Sequence, residues 1–179
     1  MKFRAVAVAA VFLLTTCIHV GVPLKSKHYV PVITFDGVVD SDSVDQTLSA
    51  MEASAAAGAE AIIIEFNTPG GSVGAGFKLS KAIENSRIPV VCVVDAMAAS
   101  MGTYILESCQ VRVMTRRSFL MFHQPSITGE RSGSREEYQN IADLLKALES
   151  GMIEHWVDRM NISADDMQKK IEGGKEWWT

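Results

Sequence analysis

Ala61-Ile62-Ile63-Ile64-Glu65-Phe66-Asn67-Thr68-Pro69-Gly70-Gly71-Ser72-Val73 is the stretch on which the fold reading turns. Three consecutive isoleucines leave residues 61–66 no polar face, which marks a strand buried on both sides of a parallel sheet. The glycine-rich turn interrupts it, and a helical period follows over 74–85. Residues 89–94 read as a second buried strand. Toward the N-terminus, 29–35 is rich in β-branched and aromatic residues and stops at Asp36-Gly37. Ser41 to Ser43 offer N-caps for a helix in which Val44, Leu48, Met51 and Ala55 repeat at helical spacing until Gly58. Strand, helix, strand, helix, strand predicts an α/β fold of repeated βαβ units with right-handed crossovers and helices flanking a parallel sheet.

Further on, 110–115 and 119–122 read as short strands, and 134–160 carries one long helical period. Its apolar stripe is Tyr138, Ile141, Leu144, Leu145, Leu148, Ile153, Trp156 and Val157. Ser163 and Asp166 have the spacing of a capping box that opens a last short helix, and Gly173-Gly174 ends it.

Residues 1–24 read as a separate leader. Lys2 and Arg4 precede an uninterrupted apolar run from Ala5 to Leu14, the shape of a signal peptide. Leu14-Thr15-Thr16-Cys17 is also similar to a lipoprotein box, and a short membrane anchor or an amphipathic arm fits the same residues. The 179 residues thus divide into this leader and one domain over 25–179.

Composition narrows the chemistry. Seventeen Lys and Arg against 21 Asp and Glu give a net charge of −4 with no basic run, so no electrostatic footprint for nucleic acid is present. Cys17, Cys92 and Cys109 show no metal spacing and no disulfide framework, and Cys92, inside an apolar strand, is expected to be inert. Zinc and redox chemistry are therefore not expected.

Ligands of an open parallel sheet meet the loops at the carboxyl ends of the strands. The turn at Gly70-Gly71 can aim amide N–H groups at a bound group, although it lacks the GxxxxGK[ST] spacing of a phosphate loop. A loop over 95–102 holds Ser100 among small residues at the start of a helix, where it reads either as a nucleophile or as a helix cap. His123 follows a short apolar strand, and such a histidine is either a base or a hydrogen-bonded structural residue. Acyl transfer needs a nucleophile, a base and amide donors for an oxyanion, and these three loops supply all of them.

The same three segments, Asn67-Thr68-Pro69-Gly70-Gly71-Ser72-Val73, Ala98-Ala99-Ser100-Met101-Gly102 and His123-Gln124-Pro125, resemble the SPGGSV, AASMG and HQP motifs of the proteolytic subunit of the Clp protease, in the same order. The resemblance runs from about residue 30 to the C-terminus. It implies a Clp/crotonase fold with one long C-terminal helix, and serine peptidase chemistry with Ser100 as nucleophile and His123 as general base. It also implies backbone amides of Gly71 and Met101 as the oxyanion hole, and no metal or bound organic cofactor. Peptides or unfolded proteins would be the substrates, a homo-oligomeric ring the assembly, and an ATP-driven unfoldase the partner. Family members carry a further helix and strand, so the domain is expected to stop short of their full length.

Two departures accompany this resemblance. The family's catalytic Asp has no counterpart in Ile171-Glu172-Gly173-Gly174-Lys175-Glu176-Trp177-Trp178-Thr179. Aligning Trp178 with the family's aromatic position puts Glu176 in the acid's place, a one-residue shift puts Lys175 there, and Glu172 is the second candidate. Asp95-Ala96-Met97 and Gly102-Thr103-Tyr104 are closer to signal peptide peptidase A, a membrane-associated Ser/Lys enzyme. The fold also admits an acyl-CoA enzyme of the crotonase type, and the missing Asp admits a catalytically inactive assembly subunit.

Overall fold

The computed structural model describes residues 28–172 and 175–178. The leader expected over 1–24, with Cys17, lies outside the described residues.

Three βαβ steps build the first half. Strand β1 (Val32–Asp36) leads into helix α1 (Ser41–Ala56), β2 (Ile62–Thr68) into α2 (Val73–Glu84), and β3 (Val90–Ala99) into α3 (Met101–Glu107). Helix α1 is capped one residue earlier than expected: the Asp40 carboxylate accepts from Ser43 N–H at 2.8 Å while Ser43 Oγ accepts from Asp40 N–H at 3.0 Å. Strands β4 (Val111–Met114) and β5 (Phe119–His123) follow, then the long helix α4 (Arg135–Val157), α5 (Ala164–Glu172) and β6 (Lys175–Trp178). Ser163 does open α5, its Oγ accepting from Asp166 N–H at 3.1 Å and donating to the Asp166 carboxylate at 2.7 Å.

The sheet runs β1-β2-β3-β5-β6, with β4 paired to β3 off this path. All pairings are parallel except β5 with β6, which is antiparallel. Strand β3 changes neighbours along its length: Val91 to Val94 pair with β4, and Met97 to Ala99 pair with β5. This exchange keeps the chain extended through Ala99, so residues 95–99, expected in a loop, belong to the strand.

The isoleucine run is not buried on both faces. Ile62, Ile64 and Phe66 are fully buried, whereas Ile63 and Glu65 between them are half-buried. Residues 90–94 alternate in the same way, so one face of the sheet carries the core and the other is only partly covered. Helix α4 is similarly divided. Met152, Ile153 and Trp156 enter the core, but Tyr138 and Leu144 from the predicted stripe are 49% and 55% exposed. The second half of the stripe packs on the subunit and the first half does not.

The cysteine reading needs correction. Cys92 on β3 and Cys109 just after α3 are joined in a disulfide, both sulfurs fully buried. Helix α3 turns the chain back along the sheet, which brings together two residues 17 positions apart. Sequence spacing alone carries no trace of that reversal.

Candidate active site

Register explains how Ser100 and His123 meet. Ala99 at the end of β3 pairs with Met121 of the parallel strand β5, so the next residues of both strands emerge on the same carboxyl-end rim. Ser100 N–H donates to the Met121 carbonyl at 2.7 Å and extends this pairing by one step. The Ser100 hydroxyl and His123 Nε2 are 2.5 Å apart, a direct hydrogen-bonding approach.

Ser100 adopts φ 54° and ψ −117°, a conformation that non-glycine residues rarely hold. Strain of this kind costs on the order of 1–3 kcal/mol and persists only where its surroundings enforce it. Several contacts do so. The Ser100 carbonyl accepts from Thr103 N–H at 3.0 Å and from the Thr103 hydroxyl at 2.6 Å. Gly70 presses from the other side, where an added Cβ would stand 2.6 Å from the Ala99 carbonyl oxygen and 2.9 Å from Met101 N. The Ser100 hydroxyl makes no capping bond to α3. It points at His123 instead, so the cap reading of this serine does not describe it.

Thr68, fully buried at the end of β2, shapes the glycine turn by accepting from Gly70 N–H at 3.1 Å. The turn then crosses to the β1–α1 connection: Val39 N–H donates to the Gly70 carbonyl at 2.9 Å, and Ser72 N–H donates to the Val39 carbonyl at 2.7 Å. Gly71 between them lies so close to Val39 that an added Cβ would meet its carbonyl oxygen. The Gly71 amide is thereby left without an acceptor among the described residues, and so is the Met101 amide at the first residue of α3. Both line, with Ser100 and His123, a cleft of about 640 Å³ that Met121, Pro125 and Met152 also line. No lysine among the described residues lines it.

The loop after His123 is tied down by residues that sequence reading missed. Gln124 donates to the Glu149 carboxylate of α4 at 3.0 Å, and Gln168 of α5 donates to the same oxygen at 2.5 Å. One carboxylate thus joins two helices to the residue beside His123. Only the long separations along the chain distinguish it from the other surface carboxylates of α4, and no sequence pattern reveals them.

The acid candidates fare differently. Strand β6 pairs Glu176 with Phe122 and Lys175 with His123. Glu172 is exposed at the end of α5, and Asp166 is held by Ser163 at its start.

An α/β protein with a hydroxyl–imidazole pair, two unengaged backbone amides and an open cleft at one sheet rim is the class that fold and site define. The Clp protease family model matches residues 30–176, and the chain belongs to that family. It is 34% identical over 120 residues to the ATP-dependent Clp protease proteolytic subunit 1 of Chlamydia pneumoniae, covering 65% of this chain and 61% of that protein. The same-named protein of Chlamydia trachomatis is 32% identical over the same shares. A membrane-bound protease of Pyrococcus horikoshii is 32% identical over 65% of this chain and 27% of its own length. The match thus spans about three fifths of the Clp subunits it resembles.

Proposed function

We propose that the chain is a serine-type endopeptidase that cleaves peptide bonds through an acyl-enzyme on Ser100. The 2.5 Å approach of His123 Nε2 to the Ser100 hydroxyl carries this reading. His123 takes the hydroxyl proton as Ser100 Oγ attacks the scissile carbonyl, then returns it to the leaving amine. The developing oxyanion is held by the Gly71 and Met101 amides, which have no competing acceptor to give up. Water then attacks the ester as His123 takes its proton, and His123 returns that proton to Ser100 Oγ as the ester bond breaks and the carboxylic acid product leaves.

Peptides or unfolded proteins are the substrates under this reading, within a homo-oligomeric chamber whose formation uses the uncovered part of α4. The Clp relatives are named as ATP-dependent, which supports an ATP-driven unfoldase as partner. Glu176, on the strand that pairs with β5, is the acid under this reading, with Glu172 as the alternative. Glu176→Gln tests it: a large loss of rate assigns Glu176 as the acid, and an unchanged rate removes it from that role.

A fluorophosphonate probe tests the central assignment. Label is expected on Ser100 and is lost in Ser100→Ala and His123→Ala; a folded protein that takes no label on Ser100 refutes the peptidase reading. The likeness to a membrane-bound protease supports a second reading, attachment to a membrane through residues 1–24, because no helix among the described residues is long and apolar enough to cross one. Recovery of the full chain in a carbonate-washed membrane fraction tests it.

A further inference from the structure

Ser100 sits inside a covalently closed loop. The Cys92–Cys109 bond joins the first part of β3, before Ser100, to the residue two positions past the end of α3. Each anchor is firmly held. Cys92 is paired with Ile64 on one side and Arg112 on the other. The Cys109 carbonyl accepts from Arg112 Nη1 at 3.0 Å and Arg159 Nη2 at 2.9 Å, which binds it to β4 and to the segment after α4. Between the anchors lies a seven-residue helix, too short to persist on its own. Its first residue supplies the Met101 amide, and the residue before it is the strained Ser100.

We propose that this disulfide is a redox-set clamp on the nucleophile turn, acquired as the chain folds in an oxidising compartment. The Cys92 and Cys109 thiols lose two protons and two electrons to a disulfide oxidant of the glutathione or dithiol-oxidoreductase class. The Sγ–Sγ bond forms through a mixed disulfide, and the oxidant leaves as two thiols. Both sulfurs are fully buried. Exchange therefore takes place before β3 and α3 close on each other, and the finished bond is inaccessible to reductant in the native protein. Bonds of this kind persist where the surroundings are oxidising and are rare in the cytosol. The clamp holds the far end of α3 to the sheet, so the turn at its near end keeps the φ that Ser100 requires.

The functional half of this proposal rests on the peptidase reading; the structural half does not. The full chain is unfolded, reduced, and refolded either with oxidised and reduced glutathione or with excess dithiothreitol. Peptide mapping without reduction is expected to find Cys92 linked to Cys109 only in the first sample. The oxidised protein should melt roughly 6–12 °C above the reduced one, with C92A/C109A following the reduced form. Fluorophosphonate labelling of Ser100 should be roughly 10- to 100-fold faster in the oxidised protein, the scale that small misplacements cost. Equal melting temperatures, or free alkylation of both cysteines after oxidative refolding, overturns the clamp. A melting shift with no labelling in either form supports the clamp and removes the peptidase reading.

Discussion

Gly70 and Ser100 are packed so closely that a Cβ on the glycine would fall 2.7 Å from the Cβ of the serine. Gly70 also holds φ +89°, a left-handed value that side chains disfavour. Gly70→Ala is therefore expected to cost about 1–3 kcal/mol in stability and to move the Ser100 turn, lowering probe labelling. Gly74→Ala, in the same segment but facing open space, should leave both unchanged or raise stability slightly. Thermal unfolding and labelling of the two variants, measured side by side, check the contrast; equal behaviour would show that the close approach does not matter.

Trp156 packs beneath the strand that carries His123. Its ring meets Phe122 edge-on at 5.2 Å between centroids, and Phe122 precedes His123 on β5. Both rings are fully buried. Trp156→Ala should cost roughly 3–5 kcal/mol, whereas Leu144→Ala, on the exposed half of the same helix, should change subunit stability by less than about 0.5 kcal/mol. Urea denaturation distinguishes the two, and comparable losses would mean that α4 is buried along its whole length.

That exposed half makes a separate prediction. Tyr138 and Leu144 are large apolar side chains about half exposed in the single chain, surface of the kind that a contact with a second chain covers. Leu144→Glu should shift the particle to a lower mass in light scattering while the secondary structure by circular dichroism stays intact. An unchanged mass would place any subunit contact elsewhere.

Glu107 is buried beside Arg112, with 3.2 Å between Oε2 and Nε. Burial pushes its carboxyl above the ordinary carboxylate range, and Arg112 and Arg159 pull it back by less. The folded protein thus holds this proton more tightly than the unfolded chain, so the group's contribution is most favourable at low pH and is lost as pH rises through the folded value. Asp40 and Glu137 are shifted the opposite way by their capping bonds, so they add stability as pH rises. Melting curves of Glu107→Gln and the natural chain between about pH 4 and 7 should show the variant gaining relative stability as pH increases. A constant or reversed difference would contradict this.

Much of the site is legible in the sequence because its parts lie in short local signals. Gly70-Gly71, Ser100 and His123 each follow a strand whose residue types announce it, and parallel topology puts all three at one rim. What escapes depends on chain reversals. The extension of β3 through Ala99 follows from the arrival of β5, which no property of residues 95–99 indicates. The Cys92–Cys109 pair depends on the return path of α3. The tail of the chain offers Glu172 and Glu176 as carboxylates, and only its pairing with β5 brings it beside the strand that carries His123. The stripe on α4 is equally apolar in both halves, and periodicity cannot say that one half faces its own subunit and the other does not.

The order of the sheet also bears on when the molecule becomes capable of chemistry. Strand β5 is paired on one side to β3, already complete, and on the other to β6, and Phe122 is packed against Trp156 and Trp178 from much later in the chain. On a ribosome adding about 5–20 residues per second, roughly 3–11 s pass between the synthesis of His123 and that of Trp178. For that interval the strand bearing His123 lacks its outer neighbour. Ser100 and His123 thus settle into their mutual position only once β6 has been made, well after both residues have left the ribosome's active centre.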